Sequence, residues 1–231
     1  DIRAIADEAH KRGCVVMIDD TWSSGVFFKP FEHGVDVSVL AATKYIVGHS
    51  DVMMGVITTT NEHWQRVRQA ASDLGANSGP DDVYLALRGL RTIGVRMRQH
   101  HKNGLALAEW LEARPEVERV MHPALPGDPG HALWKRDFTG ACGLFGVELK
   151  PVVEDAIAAM LDGLKLYGMG ASWGGFESLI LLTNPASIRS ATHDRWSNAG
   201  PTLRIHAGLE DIEDLIADLE KGFERMNAYK A

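Results

Sequence analysis

The sequence predicts an α/β protein, and three observations carry that reading. Short apolar runs at Cys14 to Ile18, Val35 to Leu40 and Met53 to Thr60 are too short for helices and are closed by polar turns. Stretches with helical periodicity alternate with them. The hydrophobic content of 45% beside 24% charged residues is the ordinary globular balance, which excludes disordered and collagen-like chains.

The elements follow in order. Ile2, Ile5, Ala6 and Ala9 share one helical face, and Gly13 stops that helix. The run Cys14 to Ile18 reads as a strand buried on both faces, as in a parallel sheet. It ends in the turn-prone Asp19, Asp20 and Thr21. Strands over 35–40 and 53–60 come next, then a helix over 61–75. A long helical stretch runs from Pro80 to Glu112, with Asp81 and Asp82 in its first turn, where carboxylates suit the dipole. Gly89, Gly94 and Gly104 are its candidate break points. A loop rich in Pro and Gly (Pro123, Pro126, Gly127, Pro129, Gly130) leads to a strand over 141–149 and a helix over 152–162. Short strands are expected near 164–169 and 202–206. Ile212, Leu215, Ile216, Leu219 and Phe223 form the apolar stripe of a last helix. The domain boundary falls inside the long helix, dividing 1–95 from 96–231, and there are no internal repeats.

A length of 231 residues suits one or two domains. The net charge of −7 argues against nucleic-acid binding, which needs clustered Lys and Arg. No apolar run is long enough to span a membrane. Cys14 and Cys142, both in apolar surroundings, imply no disulfide framework and favour a reducing compartment, the cytoplasm. No signal peptide is visible, and a chain that starts at Asp1 reads as trimmed or cut from something longer.

Asp19 stands at the carboxyl end of a buried strand, where open α/β sheets bind ligands. Alone it reads as a turn cap. Lys44, in Ala41-Ala42-Thr43-Lys44-Tyr45, stands at the end of the neighbouring strand. Alone it reads as a surface lysine. Together they match what pyridoxal 5'-phosphate (PLP) requires: a Schiff-base lysine and an aspartate facing the pyridine nitrogen. His100 and His101 read as a solvated helix face rather than metal ligands, so no metal site is expected. His49 reads as structural, and His206 alternates with Arg204 on a strand and shares its face.

The segments Met17-Ile18-Asp19-Asp20-Thr21-Trp22 and Ala42-Thr43-Lys44-Tyr45-Ile46-Val47-Gly48-His49-Ser50-Asp51 resemble the Cys/Met-metabolism family of PLP enzymes. The likeness continues through Arg88-Gly89-Leu90-Arg91-Thr92, His122-Pro123, Ser172-Trp173-Gly174-Gly175-Phe176-Glu177-Ser178 and Arg204-Ile205-His206-Ala207-Gly208-Leu209-Glu210-Asp211. It implies the aspartate-aminotransferase-like fold (fold type I): the C-terminal half of a PLP domain, then a smaller α/β domain. It implies Lys44 as the catalytic, cofactor-bound lysine, Asp19 as partner of the ring nitrogen, and Thr43 as a phosphate ligand. It implies Arg204 as the grip on the substrate carboxylate, with Ser172 and Trp173 in the loop beside the substrate. Without the resemblance, Arg204 reads as a salt-bridged strand residue and Trp173 as core. Trp173 and Trp22 fit the bacterial β-lyase branch. The implied activity is carbon–sulfur lysis, the β-elimination of L-cystathionine to homocysteine, pyruvate and ammonia. The alternatives are γ-lyase, γ-synthase, methionine γ-lyase or sulfhydrylase chemistry, or a non-catalytic fragment. A homotetramer is the implied assembly. Position 20 is Asp where members commonly have Asn, and position 42 is Ala where many have Ser. The family's N-terminal portion, with its glycine-containing phosphate cradle, has no counterpart in these residues, so weak PLP binding is expected.

Overall fold

The side chain of Asp1 accepts the Ala4 amide and opens α1 (Ile2–Lys11). The computed structural model describes residues 1–196 and 200–229. They fall into two compact units: residues 1–97 with 135–140, and residues 98–134 with 141–231.

In the first unit, β1 (Met17–Asp19) runs parallel to β2 (Val37–Ala41), and β3 (Gly55–Thr59) pairs antiparallel with β2, in the order β1-β2-β3. The expectation that β1 is buried on both faces is overturned. Val15 is 50% and Met17 64% exposed. A run of this composition needs cover on both faces and both edges, and β2 supplies one edge only. The strand also starts three residues late, because the Cys14 amide turns back to Ala9 and closes α1. Helix α2 (Trp64–Asp73) follows β3.

Helix α3 (Pro80–Glu112) is one uninterrupted element of 33 residues. Its glycines do not break it. A Cβ on Gly89 would collide with the carbonyls of Ile46 and Val47, and one on Gly104 would lie 3.0 Å from the Cys142 carbonyl. These glycines mark places where another backbone comes close to the helix.

The second unit holds β4 (Val117–Met121), α4 (His131–Asp137, whose last residues belong to the first unit), β5 (Leu144–Leu149) and α5 (Glu154–Asp162). It continues with β6 (Leu179–Thr183), α6 (Pro185–Ile188), α7 (His193–Trp196), β7 (Thr202–His206) and α8 (Ile212–Ala228). The four strands form an antiparallel sheet in the order β4-β5-β7-β6. Its core joins Val147, Leu149, Ile180, Leu203 and Ile205 of the sheet to Leu107 and Leu111 of α3, Ile157 and Met160 of α5, and Leu215, Leu219 and Phe223 of α8.

The strand expected at 164–169 is absent. One oxygen takes two donors there: the amides of Lys165 and Leu166 both donate to Asp218 Oδ2 at 2.8 Å, so they are withheld from a ladder, and only Gly168 bridges to Leu179. Strands β4 and β6 were not anticipated. In β4, Glu118 and Arg119 mask the pattern, and Arg119 pairs across to Glu148 of β5 at 2.9 Å.

His122 is 1% exposed, accepts the Ala124 amide at Nδ1 and meets the Phe145 ring edge-on. Burial, with His101 nearby adding to it, pushes its pKa down to about 4. The unfolded chain, titrating near 6.5, therefore binds the extra proton first as pH falls. Stability from this group is full above about pH 6.5 and drains away towards pH 4, by about 3 kcal/mol in total. Urea unfolding at pH 7.5 and pH 4.5 is expected to show a loss about 2–3 kcal/mol larger for the native chain than for His122→Gln. Equal losses in both would remove His122 as the cause.

Candidate active site

Asp19 ends β1, and Ala41 ends the adjacent parallel β2 three residues before Lys44. Both residues thus lie at the carboxyl edge of one parallel pair, where ligands bind in such sheets. Thr21 ties the two strand ends together. Its hydroxyl donates to Asp19 Oδ1 and accepts the Ala41 amide at 2.9 Å, and its own amide donates to the same Oδ1 at 3.0 Å. Asp19 is therefore oriented by two donors on one oxygen. Its Oδ2 has no protein partner among the described residues, and the side chain is exposed. A carboxylate held on one side and open on the other is built to accept one further N–H.

Asp20 points the other way. It is buried, and it accepts the Ser23 hydroxyl and the Gly25 amide. Burial raises its pKa, Asp19 adds to the rise, and the Ser23 and Gly25 bonds and Lys29 oppose it. The extra carboxylate is thus absorbed by its own turn rather than by the site.

Lys44 is half-buried in a tight coil. Its amide bonds to Ala41 O at 3.0 Å, and the Gly48 amide returns to Lys44 O at 2.7 Å. Thr43 is turned towards the chain: its hydroxyl accepts the Met54 amide at 2.9 Å and donates to the Met54 carbonyl at 3.2 Å. To serve a phosphate it has to swing that hydrogen away from Met54. The coil is clamped from α3 by Arg96, which is 7% exposed. Arg96 Nη1 donates to Tyr45 O at 2.7 Å, and Nη2 donates to Ile46 O at 3.0 Å and Gly89 O at 2.7 Å. Its Nε donates to the Thr92 hydroxyl at 3.1 Å. Burial lowers the guanidinium's pKa, yet arginine stays charged. Sequence reasoning missed Arg96 and the clamping role of Thr21. Both act on backbone groups distant in sequence, and the Asp-Asp-Thr turn was the sole local signal for Thr21. His49 is exposed, its Nδ1 2.6 Å from the Val47 carbonyl.

In the second unit Arg204 lies on β7. It makes no salt bridge among the described residues; partial burial lowers its pKa. Its Nη2 donates to the carbonyls of Ala171 at 2.8 Å and of Gly170 and Ser172 at 3.3 Å each. Its Nε and Nη1 make no hydrogen bond among the described residues. Ser172 is exposed and Trp173 half-buried in the tethered segment. Arg204 thus touches the Ser172 carbonyl, with Trp173 next in the chain, while in the first unit Asp19, Thr43 and Lys44 lie at or just beyond the carboxyl ends of β1 and β2. His100 departs from expectation: it is fully buried rather than solvated, its Nδ1 2.9 Å from the Ala207 carbonyl. The reason is that this face of α3 packs on the strand end that follows His206.

The orientation of Asp19 and the placing of Lys44 on the same edge fit a protonated ring nitrogen and an aldehyde at the two ends of PLP. The Thr43 hydroxyl is committed to the Met54 backbone.

Comparison with known proteins agrees. The model of the Cys/Met metabolism PLP-dependent enzyme family matches residues 1–224. The chain is 48% identical to the cystathionine beta-lyase of Escherichia coli, covering 97% of this chain and 56% of that protein. It is 47% identical to that of Salmonella typhimurium, again over 97% and 56%. A crystal structure of cystathionine gamma synthase from Xanthomonas oryzae pv. oryzae in complex with cystathionine superimposes with a TM-score of 0.90 at 36% identity. That match covers 99% of this chain and 60% of the other. The chain thus spans a little over half the length of the relatives it matches. With a match that runs from its first residue to within α8, this chain belongs to the Cys/Met metabolism PLP-dependent enzyme family.

Proposed function

We propose that the chain carries the reacting lysine, the ring-nitrogen partner and the carboxylate grip of a carbon–sulfur lyase. Its substrate is L-cystathionine, which with one water yields homocysteine, pyruvate and ammonia. The observation that carries the reading is Asp19: one oxygen held by Thr21, the other open, on the sheet edge that bears Lys44. Bound PLP supplies an electron sink for negative charge at the substrate's Cα. Asp19 keeps the ring nitrogen protonated by opposite charge. Lys44 Nζ takes the proton from Cα and delivers it to the departing sulfur. Arg204 Nε and Nη1 bond nothing among the described residues, so the guanidinium keeps N–H donors for a substrate carboxylate beside the carbonyls that Nη2 holds. Thr43 serves the phosphate once its hydroxyl turns from Met54.

Trp22 and Trp173 favour the β-lyase branch, and the 48% identity to a β-lyase supports it. The second reading is γ-elimination or γ-replacement, supported by the likeness to a γ-synthase. The free thiols of Cys14 and Cys142 support a reducing, cytoplasmic setting. The apolar stripe of Val83, Leu87 and Leu90, about half exposed on α3, supports a homo-oligomer, a tetramer by resemblance.

Borohydride reduction of the protein in PLP, followed by peptide mass analysis, is expected to fix the cofactor on the Lys44 peptide. Incubation with L-cystathionine is expected to release pyruvate and homocysteine. Cysteine with 2-oxobutanoate would establish the γ-reading. Absence of both adduct and turnover would leave a non-catalytic domain.

A further inference from the structure

We infer that His206 is a positioning residue whose Nε2 lone pair holds the backbone of Gly174 and thereby sets the segment bearing Ser172 and Trp173. The inference deepens the proposed function, since it rests on reading that segment as the substrate's side of the site.

Arg204 and His206 are two residues apart on β7 and so share one face. Arg204 Nη2 reaches the carbonyls of Gly170, Ala171 and Ser172. His206 Nε2 accepts the Gly174 amide at 3.1 Å and lies 3.3 Å from the Gly175 carbonyl. Ser172 and Trp173 are therefore pinned on both sides by one strand. A cation takes the carbonyls of Gly170, Ala171 and Ser172, and a lone pair takes the amide of Gly174. Gly174 has φ of +85°, a left-handed conformation that side chains resist, and it is buried. The turn is thus shaped by a glycine whose amide His206 holds. A buried amide that loses its acceptor stays unpaired, which is costly.

Of the two contacts at Nε2 the Gly174 amide is the nearer, 3.1 Å against 3.3 Å to the Gly175 carbonyl, and it favours one tautomer. An N–H aimed at Nε2 needs a bare nitrogen there, so the ring hydrogen sits on Nδ1 and the imidazole is neutral. The ring cannot readily turn away. His206 is 1% exposed, the His100 ring lies 5.2 Å from it, and a Cβ on Gly143 would come within 3.3 Å of Nδ1.

The test uses the native chain with His206→Gln and His206→Phe. Gln places an amide oxygen where Nε2 stands, while Phe fills the space without an acceptor. Nitrogen NMR of the native ring is expected to report the Nδ1–H tautomer. Amide exchange at Gly174 is expected to quicken about tenfold or more in His206→Phe and to stay within about threefold of native in His206→Gln. With L-cystathionine, His206→Phe is expected to raise KM about tenfold with little change in kcat, and Gln to restore it. An Nε2–H tautomer, unchanged Gly174 exchange in His206→Phe, or a Gln variant as impaired as Phe would each overturn the inference. Should His206→Phe not fold, the native tautomer and the Gln variant still decide. If no form turns over L-cystathionine while the exchange pattern holds, the tether stands and the functional reading fails.

Discussion

Lys44→Ala is expected to abolish turnover of L-cystathionine, lowering kcat by at least about 10³-fold, because both the covalent hold on PLP and the proton-moving amine are lost. The borohydride adduct on the 42–48 peptide is expected to vanish with it. The fold should survive, since the Lys44 backbone, not its side chain, makes the bonds to Ala41 and Gly48. Lys44→Arg separates charge from chemistry. It keeps a cation at the sheet edge, but a guanidinium does not give up its proton in proteins and cannot act as a base. It is therefore expected to be as inactive as the alanine variant. Steady-state assays of both, beside far-ultraviolet circular dichroism, check this. Multiple turnovers by either variant would move the reacting amine elsewhere.

The largest effect on stability is expected from Arg96→Leu. Four donors leave at once, and the carbonyls of Tyr45, Ile46 and Gly89 lose their partner. Bonds to a charged group contribute about 1.5–3 kcal/mol each, and their losses overlap, so a destabilisation of about 3–5 kcal/mol is expected. Arg96→Lys retains the charge but offers one compact ammonium in place of a planar fork, and is expected to recover less than half. Because two of the three bonded carbonyls, those of Tyr45 and Ile46, directly follow Lys44, PLP retention should fall in step with stability. Urea midpoints and PLP dissociation, measured together, check the pair. A variant that loses stability while holding PLP as well as native would confine Arg96 to a scaffold role.

What the sequence could be made to reveal depended on whether a residue's partner was near in sequence. Asp19 and Lys44 were visible because each ends or follows a short apolar run, a local pattern with a known meaning in α/β sheets. The helix over Pro80 to Glu112 was visible through periodicity and its acidic first turn. Arg96 was invisible, since Tyr45 and Ile46 lie 51 and 50 residues away and offer only backbone oxygen, which any residue type carries. Thr21 bridges to Ala41 through an amide, with the same result. The exposure of β1 was misjudged because composition reports what a strand would bury, not what a chain provides to bury it. The false strand at 164–169 came from ignoring Asp218, a buried carboxylate 53 residues from the Lys165 amide it captures. Pattern proposed Lys44 and Asp19 as the reacting groups, but the commitment of the Thr43 hydroxyl to Met54 could be found only in space.

The divided loyalty of Arg204 has a consequence for anyone who would retarget this scaffold. One nitrogen, Nη2, is committed to three successive carbonyls, and only Nε and Nη1 bond nothing among the described residues. Swapping the residue to favour a different acid group therefore removes a structural staple and a recognition element in one stroke. A redesign that succeeds has to supply a replacement staple for Gly170, Ala171 and Ser172 first, and alter recognition second.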